Sequence, residues 1–245
     1  MKTVIMIPTY NEKDNIGRLI ADILALRVDG HELHALVVDD NSPDGTSPLV
    51  EAIAAKEPRV HLLTRKTERG RGSAGIAGFK KALELGADFA VEMDADFSHD
   101  PKYLPALIKT CEREADVVLG SRFVKGGSDD DRGPYRQLVT KAAGIYVRTL
   151  LSLKVNDVSS GYRCFRRSAL KSIDLDHLIS TGPSIVTEIL YKCSVKGMRI
   201  AEVPIVFIDR RLGETKLNVV TLVKTLLMVA RFRASKTRYL HEQTG

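Results

Sequence analysis

Two aspartates near the middle of the chain, Asp94 and Asp96, are the side chains whose type and spacing suit a chemical role. They follow the apolar run Phe89-Ala90-Val91, which is typical of a buried strand, and Pro101 marks the expected start of a helix. Open α/β folds bind ligands at the carboxyl edge of the sheet. Mg²⁺ is usually held by one or two carboxylates together with substrate phosphates. The pair therefore indicates a metal–diphosphate site, although most isolated Asp-x-Asp pairs are solvated acids in turns.

Short apolar runs alternate with helical patterns over the first half of the chain. We predict strands at residues 4–7, 36–38, 60–63, 89–91 and 117–119. Helices are predicted at residues 15–26, after Thr46 or Ser47 as the N-cap, from segment 70–75 to Leu85, and at 104–111. This alternation predicts an α/β fold with a mostly parallel sheet covered on both faces. The first, second and fourth strands each end in polar or acidic residues, so we expect one continuous site along that edge.

The second half of the chain has a different texture. Residues 125–133 are rich in Gly and Asp and predict a mobile loop, with Asp129, Asp130 and Asp131 solvated. The further predicted elements are a helix at 138–151, a turn and short strand at 160–165, a helix at 185–195 ended by Gly197, and short strands at 200–203 and 205–208. No linker or repeat divides them, so we expect one domain over residues 1–215.

The composition is that of a soluble globular protein, with 44% apolar and 28% charged residues among 245. A net charge of +6 favours anionic partners such as phosphates, nucleotides or acidic lipid head groups. Aromatic residues make up only 6% and Trp is absent, so no nucleic-acid partner is expected. The three cysteines are scattered, which predicts neither a disulfide framework nor a zinc site and favours a reducing compartment.

Residues 216–233 form an apolar helical pattern with a narrow polar stripe and basic residues at both ends. Such a helix is too short to cross about 30 Å of hydrocarbon. An apolar helix flanked by Lys and Arg suits the membrane interface, so residues 216–245 are predicted to be an amphipathic interfacial helix and tail. The sequence equally allows this helix to pack on its own domain or on a dimer partner.

Four motifs occur in order, each at a predicted strand end: Pro8-Thr9-Tyr10-Asn11-Glu12, Asp39-Asp40-Asn41-Ser42-Pro43-Asp44-Gly45-Thr46, Met93-Asp94-Ala95-Asp96-Phe97-Ser98-His99 and Gly120-Ser121-Arg122. Later segments fit the same pattern: Tyr135-Arg136, Ser160-Gly161-Tyr162-Arg163 and Arg210-x-x-Gly213-Glu214-Thr215-Lys216. Together they resemble the family 2 inverting glycosyltransferases of the GT-A fold, and within them most resemble the polyprenol (dolichol) phosphate mannose synthases. The resemblance covers about residues 1–216.

The resemblance implies GDP-mannose as the donor and Mg²⁺ or Mn²⁺ at the two aspartates. Asp96 is the first expected metal ligand, with Ser98 beside it where relatives often carry Gln. Asp94, Asp96 and Arg122 are expected to act in catalysis. The residues expected to bind the donor nucleotide are Pro8, Tyr10, Glu12, Val38, Asp40, Asp94, Ala95 and Asp96. The alternative for these acids is ordinary helix capping.

The implied acceptor is a polyprenyl (dolichyl) phosphate, an anionic nucleophile that requires no strong general base. The residues expected to bind its phosphate are Arg122, Arg136, Arg210 and Lys216. Arg grips phosphate in a bidentate manner, whereas the alternative for each is a surface salt bridge. His99 could approach the diphosphate, although a lone loop histidine is more often structural, and Glu188 is not expected to be a base.

These features predict a cytoplasmic mannosyltransferase that is peripheral on the cytosolic face of a membrane, with the need for a membrane partner protein left open. Three rival hypotheses remain, of which the third, a nucleic-acid-binding protein, rests on the basic charge of the chain alone. The first is the same fold acting on another sugar nucleotide, such as UDP-glucose. The second is a nucleotide-binding scaffold without turnover.

Overall fold

The computed structural model describes residues 1–67, 69–129, 133–180, 182, 184–208 and 219–241, and the side chains of residues 134–136 and 219–223 lie outside that description. Within these residues the strands form one seven-stranded sheet with the spatial order β3-β2-β1-β4-β6-β5-β7. The strands are β1 Lys2–Thr9, β2 Glu32–Asp39, β3 Val60–Thr64, β4 Phe89–Glu92, β5 Val117–Ser121, β6 Arg163–Arg166 and β7 Ile200–Pro204. The five strands predicted in the first half of the chain are confirmed.

Helices cover both faces of this sheet, as the apolar runs of its central strands predict. They are α1 Lys13–Ala25, α2 Thr46–Ala54, α3 Arg71–Glu84, α4 Leu104–Arg113 after a 3-10 turn at Pro101–Tyr103, α5 Pro134–Leu151, α6 Arg167–Ser172, α7 Ile185–Val195, α8 Val219–Ala234 and α9 Lys236–His241. One apolar cluster gathers buried residues of α1, α2 and α4 against the sheet. A second cluster gathers those of α3 and α5 to α9 against the other face.

One strand departs from the parallel order. β6 pairs antiparallel with both β4 and β5, and Arg163 lies opposite Glu92 on one side and Leu119 on the other. The remaining pairs are parallel. The prediction of a mostly parallel sheet is therefore confirmed. Because β6 runs the other way, its first residues lie at the carboxyl ends of β4 and β5.

Two local predictions were wrong. Helix α2 is preceded by Gly45 with φ +93°, and Asp44 accepts a hydrogen bond from the Thr46 backbone N–H (2.9 Å), so neither Thr46 nor Ser47 is the N-cap. Residues 205–208 are not a strand, because their pairing is limited to a single bridge between Ser128 and Val206.

The expectation of a solvated aspartate triplet also fails at Asp129, whose side chain is buried. The backbone N–H of Ser128 donates to the carbonyl of Ile205 (3.0 Å), which draws this loop against the residues after β7. Asp130 and Asp131 lie outside the described residues.

The C-terminal helices pack on the domain that precedes them. Val229, Phe232 and Tyr239 are fully buried, and they belong to the same apolar cluster as α5 and α7. Leu227, on another side of α8, is 63% exposed. The described residues thus show the packing that the sequence allowed as an alternative, together with an exposed apolar side chain. No helix in the described ranges is long and apolar enough to cross a membrane.

Candidate functional site

The turn after β4 fixes the position of Asp96. Its Oδ1 accepts hydrogen bonds from the backbone N–H (3.1 Å) and the hydroxyl (2.6 Å) of Ser98. Phe97, between them, has φ +60°, a conformation that a bulky residue adopts only when its surroundings enforce it. The guanidinium of Arg18 lies 5.2 Å from the Phe97 ring centroid and covers it. The carboxylate of Asp96 is therefore held in one orientation by a constrained turn.

Asp94 lies between an arginine and a buried histidine. Its Oδ1 accepts hydrogen bonds from Nη2 (2.5 Å) and Nε (3.2 Å) of Arg71, the first residue of α3. Its backbone N–H donates to Nδ1 of His99 (2.9 Å), whose ring is stacked on Tyr162 with 4.9 Å between centroids. Burial lowers the pKa of His99, which favours the neutral imidazole. His99 thus has the structural role that the sequence left as the alternative.

The two aspartates that end β2 have different partners. Asp39 is fully buried and accepts from the backbone N–H (3.0 Å) and hydroxyl (2.5 Å) of Ser42 and from the Ser47 hydroxyl (2.6 Å). Asp40 pairs with Arg65 (2.9 Å) and accepts from the Gly70 backbone N–H (2.7 Å). Asp39 therefore closes the loop after β2, whereas Asp40 fixes the start of α3, beside Arg71.

The end of β1 contributes a less buried group of residues. Pro8 lies opposite Val38 in the parallel register of β1 and β2. Tyr10 is 44% exposed, and the Arg69 guanidinium lies 5.5 Å from its ring centroid. Glu12 Oε2 accepts from the Asn15 side-chain amide (2.8 Å) in the first turn of α1. The parallel pairing of β1 with β2 and β4 brings these residues to the same edge as Asp40 and the two aspartates after β4.

Arg122, at the end of β5, is buried against Asp157. Its Nε and Nη2 bond the two carboxylate oxygens (2.7 and 2.8 Å), and Nη2 also bonds the Ser159 hydroxyl (2.7 Å). Burial by itself raises the pKa of Asp157, but the hydrogen bonds from Arg122 outweigh it and hold that pKa below its usual value. Only Nη1 is not committed to these two residues. A bidentate grip on phosphate by Arg122 stays a prediction, and it requires Asp157 to release the guanidinium.

The other predicted phosphate-binding residues have no described side chains. Arg136 belongs to the first turns of α5, but its side chain lies outside the described residues. Arg210 and Lys216 also lie outside the described residues. Their roles stay predictions.

Two buried charged residues that the strand-end motifs did not single out lie beneath the site. Glu92 and Arg163 face each other across β4 and β6, and both are buried. Burial raises the pKa of Glu92 and lowers that of Arg163 to about 10. Arg163 donates to the carbonyls of Ser160 (2.5 Å) and Val186. The sequence signals are a charged residue within an apolar strand and the segment that ends at Arg163, and neither identifies the partner.

The oxygen ligands after β4 fit a hard divalent cation that is shared with a substrate. Asp94 and Asp96 are partly exposed carboxylates two residues apart, and the Ser98 hydroxyl lies 2.6 Å from one oxygen of Asp96. Within the described residues, no group of three or more His, Cys, Asp or Glu side chains converges to hold a metal. Two carboxylates completed by diphosphate and water are the usual environment of Mg²⁺.

Comparisons with known proteins identify the family of the chain. The model of the family "Glycosyl transferase family 2" matches residues 4–174. The chain is 42% identical over 218 residues to the undecaprenyl-phosphate mannosyltransferase of Micrococcus luteus, covering 89% of this chain and 88% of that protein. It is 37% identical over 233 residues to the polyprenol monophosphomannose synthase of Mycolicibacterium smegmatis, covering 94% and 86%.

A solved structure shows the same fold. The glucosyl-3-phosphoglycerate synthase of Mycobacterium tuberculosis, in complex with Mn²⁺, UDP and glucosyl-3-phosphoglycerate, superposes with a TM-score of 0.67 at 19% identity, covering 96% of this chain and 79% of that chain. The family match and the two relatives named above show that the chain is a glycosyltransferase. The chain belongs to glycosyl transferase family 2, and the resemblance drawn from its motifs is confirmed.

Proposed function

We propose that this enzyme transfers mannose from GDP-mannose to a polyprenyl phosphate in one metal-dependent displacement with inversion. The relatives named above, a mannosyltransferase and a monophosphomannose synthase acting on polyprenyl substrates, support the sugar and the acceptor class. The observation that carries the proposal is the convergence of three acidic strand ends, with Asp96 held in one orientation by Ser98. A nucleoside diphosphate with its cation suits that edge.

The donor nucleotide is assigned to the ends of β1 and β2. Pro8 and Val38 lie side by side there, and Tyr10 presents an exposed ring next to them. Glu12 and Asp40, near the first turns of α1 and α3, supply acceptors for base and ribose hydroxyls. The diphosphate then extends toward Asp94, Ala95 and Asp96, where the register places the end of β4 beside β1.

Asp96 is the residue that would hold Mg²⁺ or Mn²⁺, together with diphosphate oxygens. A cation bound there would stabilise the negative charge that develops on the leaving diphosphate. The Ser98 hydroxyl donates a hydrogen bond to Asp96 and so orients the carboxylate. Its direct ligation of the metal stays a prediction.

The acceptor phosphate supplies its own nucleophile. A phosphate monoester has its second pKa near about 6, so an anionic oxygen is present at neutral pH without a general base. Glu188 is unsuited to that task, because it is fully buried and accepts from the backbone N–H groups of Ile179 and Ser180 (both 2.7 Å) and from the Tyr239 hydroxyl (2.8 Å). Cationic support for two approaching phosphates is assigned to Arg136, Arg210 and Lys216, and to Arg122 through the guanidinium nitrogen that Asp157 and Ser159 do not engage.

The lipid acceptor brings the enzyme to the cytosolic face of a membrane. Leu138, Ile145 and Tyr146 of α5 are exposed, and the Tyr146 hydroxyl donates to the Leu226 carbonyl of α8 (3.4 Å). Leu227 extends this exposed apolar surface onto α8. The exposed cationic residues Lys141 and Lys224 belong to the same two helices. An apolar surface with basic neighbours suits the interface of an anionic membrane.

The test is a donor panel. Purified protein is incubated with Mg²⁺ or Mn²⁺, a short polyprenyl phosphate and one radiolabelled sugar nucleotide at a time, and the organic phase is counted. We expect label from GDP-mannose in the lipid phase, and none after metal chelation. Product from UDP-glucose instead would support the rival donor. Calorimetric binding of GDP-mannose with no product from any donor would support the non-catalytic scaffold.

A further inference from the structure

Arg71 occupies the position where a cation is most needed at the candidate site. Its guanidinium bonds Asp94 (2.5 and 3.2 Å) and lies 3.9 Å from a carboxylate oxygen of Glu92. Asp96 adds a further electrostatic attraction. One guanidinium thus lies within electrostatic reach of three carboxyl groups. The sequence motifs give Arg71 no role beyond its place in the segment that leads into α3.

The surrounding backbone is built around this side chain. A Cβ atom on Gly161 would lie 2.4 Å from Nη2 of Arg71, so the absence of a side chain there makes room for the guanidinium. The start of α3 is fixed in turn by Asp40, which accepts from the Gly70 backbone N–H (2.7 Å). Two separate segments, one after β2 and one before β6, therefore direct Arg71 toward Asp94.

The pair is open to exchange. The side chains of Arg71 and Asp94 are 38% and 24% exposed, whereas the neighbouring Arg65–Asp40 pair is 7% and 8% exposed. Exposed ion pairs contribute little to stability, so little is lost when this one separates. A divalent cation approaching Asp94 must compete with the guanidinium for the same carboxylate. A diphosphate approaching the carboxyl cluster needs a cation to offset its repulsion.

We propose that Arg71 is a donor-positioning residue that exchanges partners, leaving Asp94 to the metal and turning to the diphosphate when the donor binds. This inference rests on the proposed function, since it needs a nucleoside diphosphate at this edge. It predicts opposite changes in the affinity for the metal alone and in the affinity for the metal–nucleotide complex. Removing Arg71 strengthens binding of the metal alone and weakens binding of the metal–nucleotide complex. A purely structural ion pair would move neither quantity in that pattern.

The experiment compares wild type, Arg71→Leu and Arg71→Lys, with Arg199→Leu as the matched control. Arg199 also forms an exposed pair with an aspartate, Asp116, at 3.0 Å, and it precedes β7, away from the carboxyl edge. Binding of Mn²⁺ alone is followed by the electron paramagnetic resonance signal of the free ion. Binding of GDP in the presence of Mn²⁺ is followed by calorimetry.

For Arg71→Leu we expect Mn²⁺ alone to bind at least about threefold more tightly and GDP with Mn²⁺ on the order of tenfold more weakly. Arg71→Lys should recover part of the GDP affinity, and Arg199→Leu should match wild type. Unchanged or weaker Mn²⁺ binding, or unchanged GDP binding, would overturn the inference. If wild type binds no nucleoside diphosphate at all, the proposed function fails with it.

Gly161→Ala provides a second route if Arg71→Leu does not fold. The added methyl group displaces the flexible end of Arg71 and leaves its charge in the protein. We expect the same tightening of Mn²⁺ alone, with GDP binding weakened less than in Arg71→Leu. No change in Mn²⁺ affinity in a folded Gly161→Ala protein would also overturn the inference.

Discussion

Two arginine–aspartate pairs border the same edge of the sheet, and their surroundings are opposite. At the end of β5, the side chains of Arg122 and Asp157 are 6% and 0% exposed, and the Arg122 backbone N–H adds a third bond to the carboxylate (3.1 Å). At the end of β4, Arg71 and Asp94 are 38% and 24% exposed. The chemical groups are the same, but only the second pair is open to solvent.

The difference in burial gives the two pairs different roles. A buried pair with satisfied hydrogen bonds is costly to break, because the remaining partner becomes an uncompensated charge. An exposed pair separates at little cost, since water replaces the lost contacts. We therefore regard Arg122–Asp157 as part of the framework of the candidate site, meaning a contact that fixes its shape, and Arg71–Asp94 as an exchangeable contact.

The largest expected effect is on stability, in the buried pair. Asp157→Ala should destabilise the fold by about 3–5 kcal/mol, because it leaves Arg122 buried without its counter-charge. Asp94→Ala should cost no more than about 1 kcal/mol. Urea unfolding followed by circular dichroism measures both. Equal losses in the two variants would break the distinction between framework and exchangeable pairs.

The next effect is on turnover, at the exposed edge. Asp96→Ala should lower the rate of mannosyl transfer by about 10²–10³-fold, since the leaving diphosphate loses its charge stabilisation. Its unfolding midpoint should fall less than that of Asp157→Ala, because the Asp96 carboxylate is partly exposed whereas Asp157 is fully buried. Ser98→Ala should raise the metal concentration needed for half-maximal activity. A fully active Asp96→Ala protein would remove Asp96 from the metal site.

A smaller effect is expected at Glu188, another buried carboxylate that we place in the framework. Tyr239→Phe removes the hydroxyl that donates to Glu188 (2.8 Å) and should cost about 1–2 kcal/mol of unfolding free energy. Leu240→Ala, at a neighbouring residue that is 48% exposed, serves as the control and should change stability by less than about 0.5 kcal/mol. If the two variants were equally stable, the hydrogen bond from Tyr239 to Glu188 would contribute nothing to the free energy of unfolding.

The smallest effect concerns pH, at the opposite edge of the sheet. Burial lowers the pKa of His61 below its ordinary value of 6.5, with the neighbouring His34 ring adding to the shift. His61 therefore takes up a proton more readily in the unfolded chain than in the folded one. The stability that the neutral His61 contributes is complete above pH 6.5 and is lost as the pH falls through the lower pKa of the folded protein. Thermal unfolding at pH 7.5 and pH 5.5 should show lower stability in acid. His61→Gln should reduce the difference, and an unchanged difference would exclude His61 as a cause.

The carboxyl edge of the sheet, where the Arg71–Asp94 pair lies, is the part of the molecule that local sequence predicts best. Asp40, Asp94 and Asp96 each follow an apolar run, and parallel pairing then brings them together. The same logic predicts the sheet and its two covered faces. The helix cap is predicted less well than the strands. Gly45 is the N-cap of α2 and Asp44 accepts from the Thr46 backbone N–H, whereas the sequence pattern predicts Thr46 or Ser47 as the N-cap.

The framework contacts escape prediction because they join distant segments. Asp157 reaches Arg122 across 35 residues, and Tyr239 reaches Glu188 across 51. No spacing or periodicity records such a pairing. The Arg71–Asp94 contact spans 23 residues and has the same origin, since the fold brings the start of α3 over the end of β4. Charge alone could not separate these arginines from those on the surface.

The reversed direction of β6 has a consequence for comparing relatives of this enzyme. In the parallel strands, the residues that follow each strand lie at the candidate site. In β6, which runs the other way, the residues that precede the strand lie there. Asp157, Ser159 and Gly161 all precede Arg163, the first residue of β6, and lie beside the arginines of the candidate site. A search for changes in acceptor or donor preference should therefore scan upstream of this strand as well as downstream of the others. Variation in the length of the loop before β6 would reshape the candidate site while leaving every strand-end motif intact.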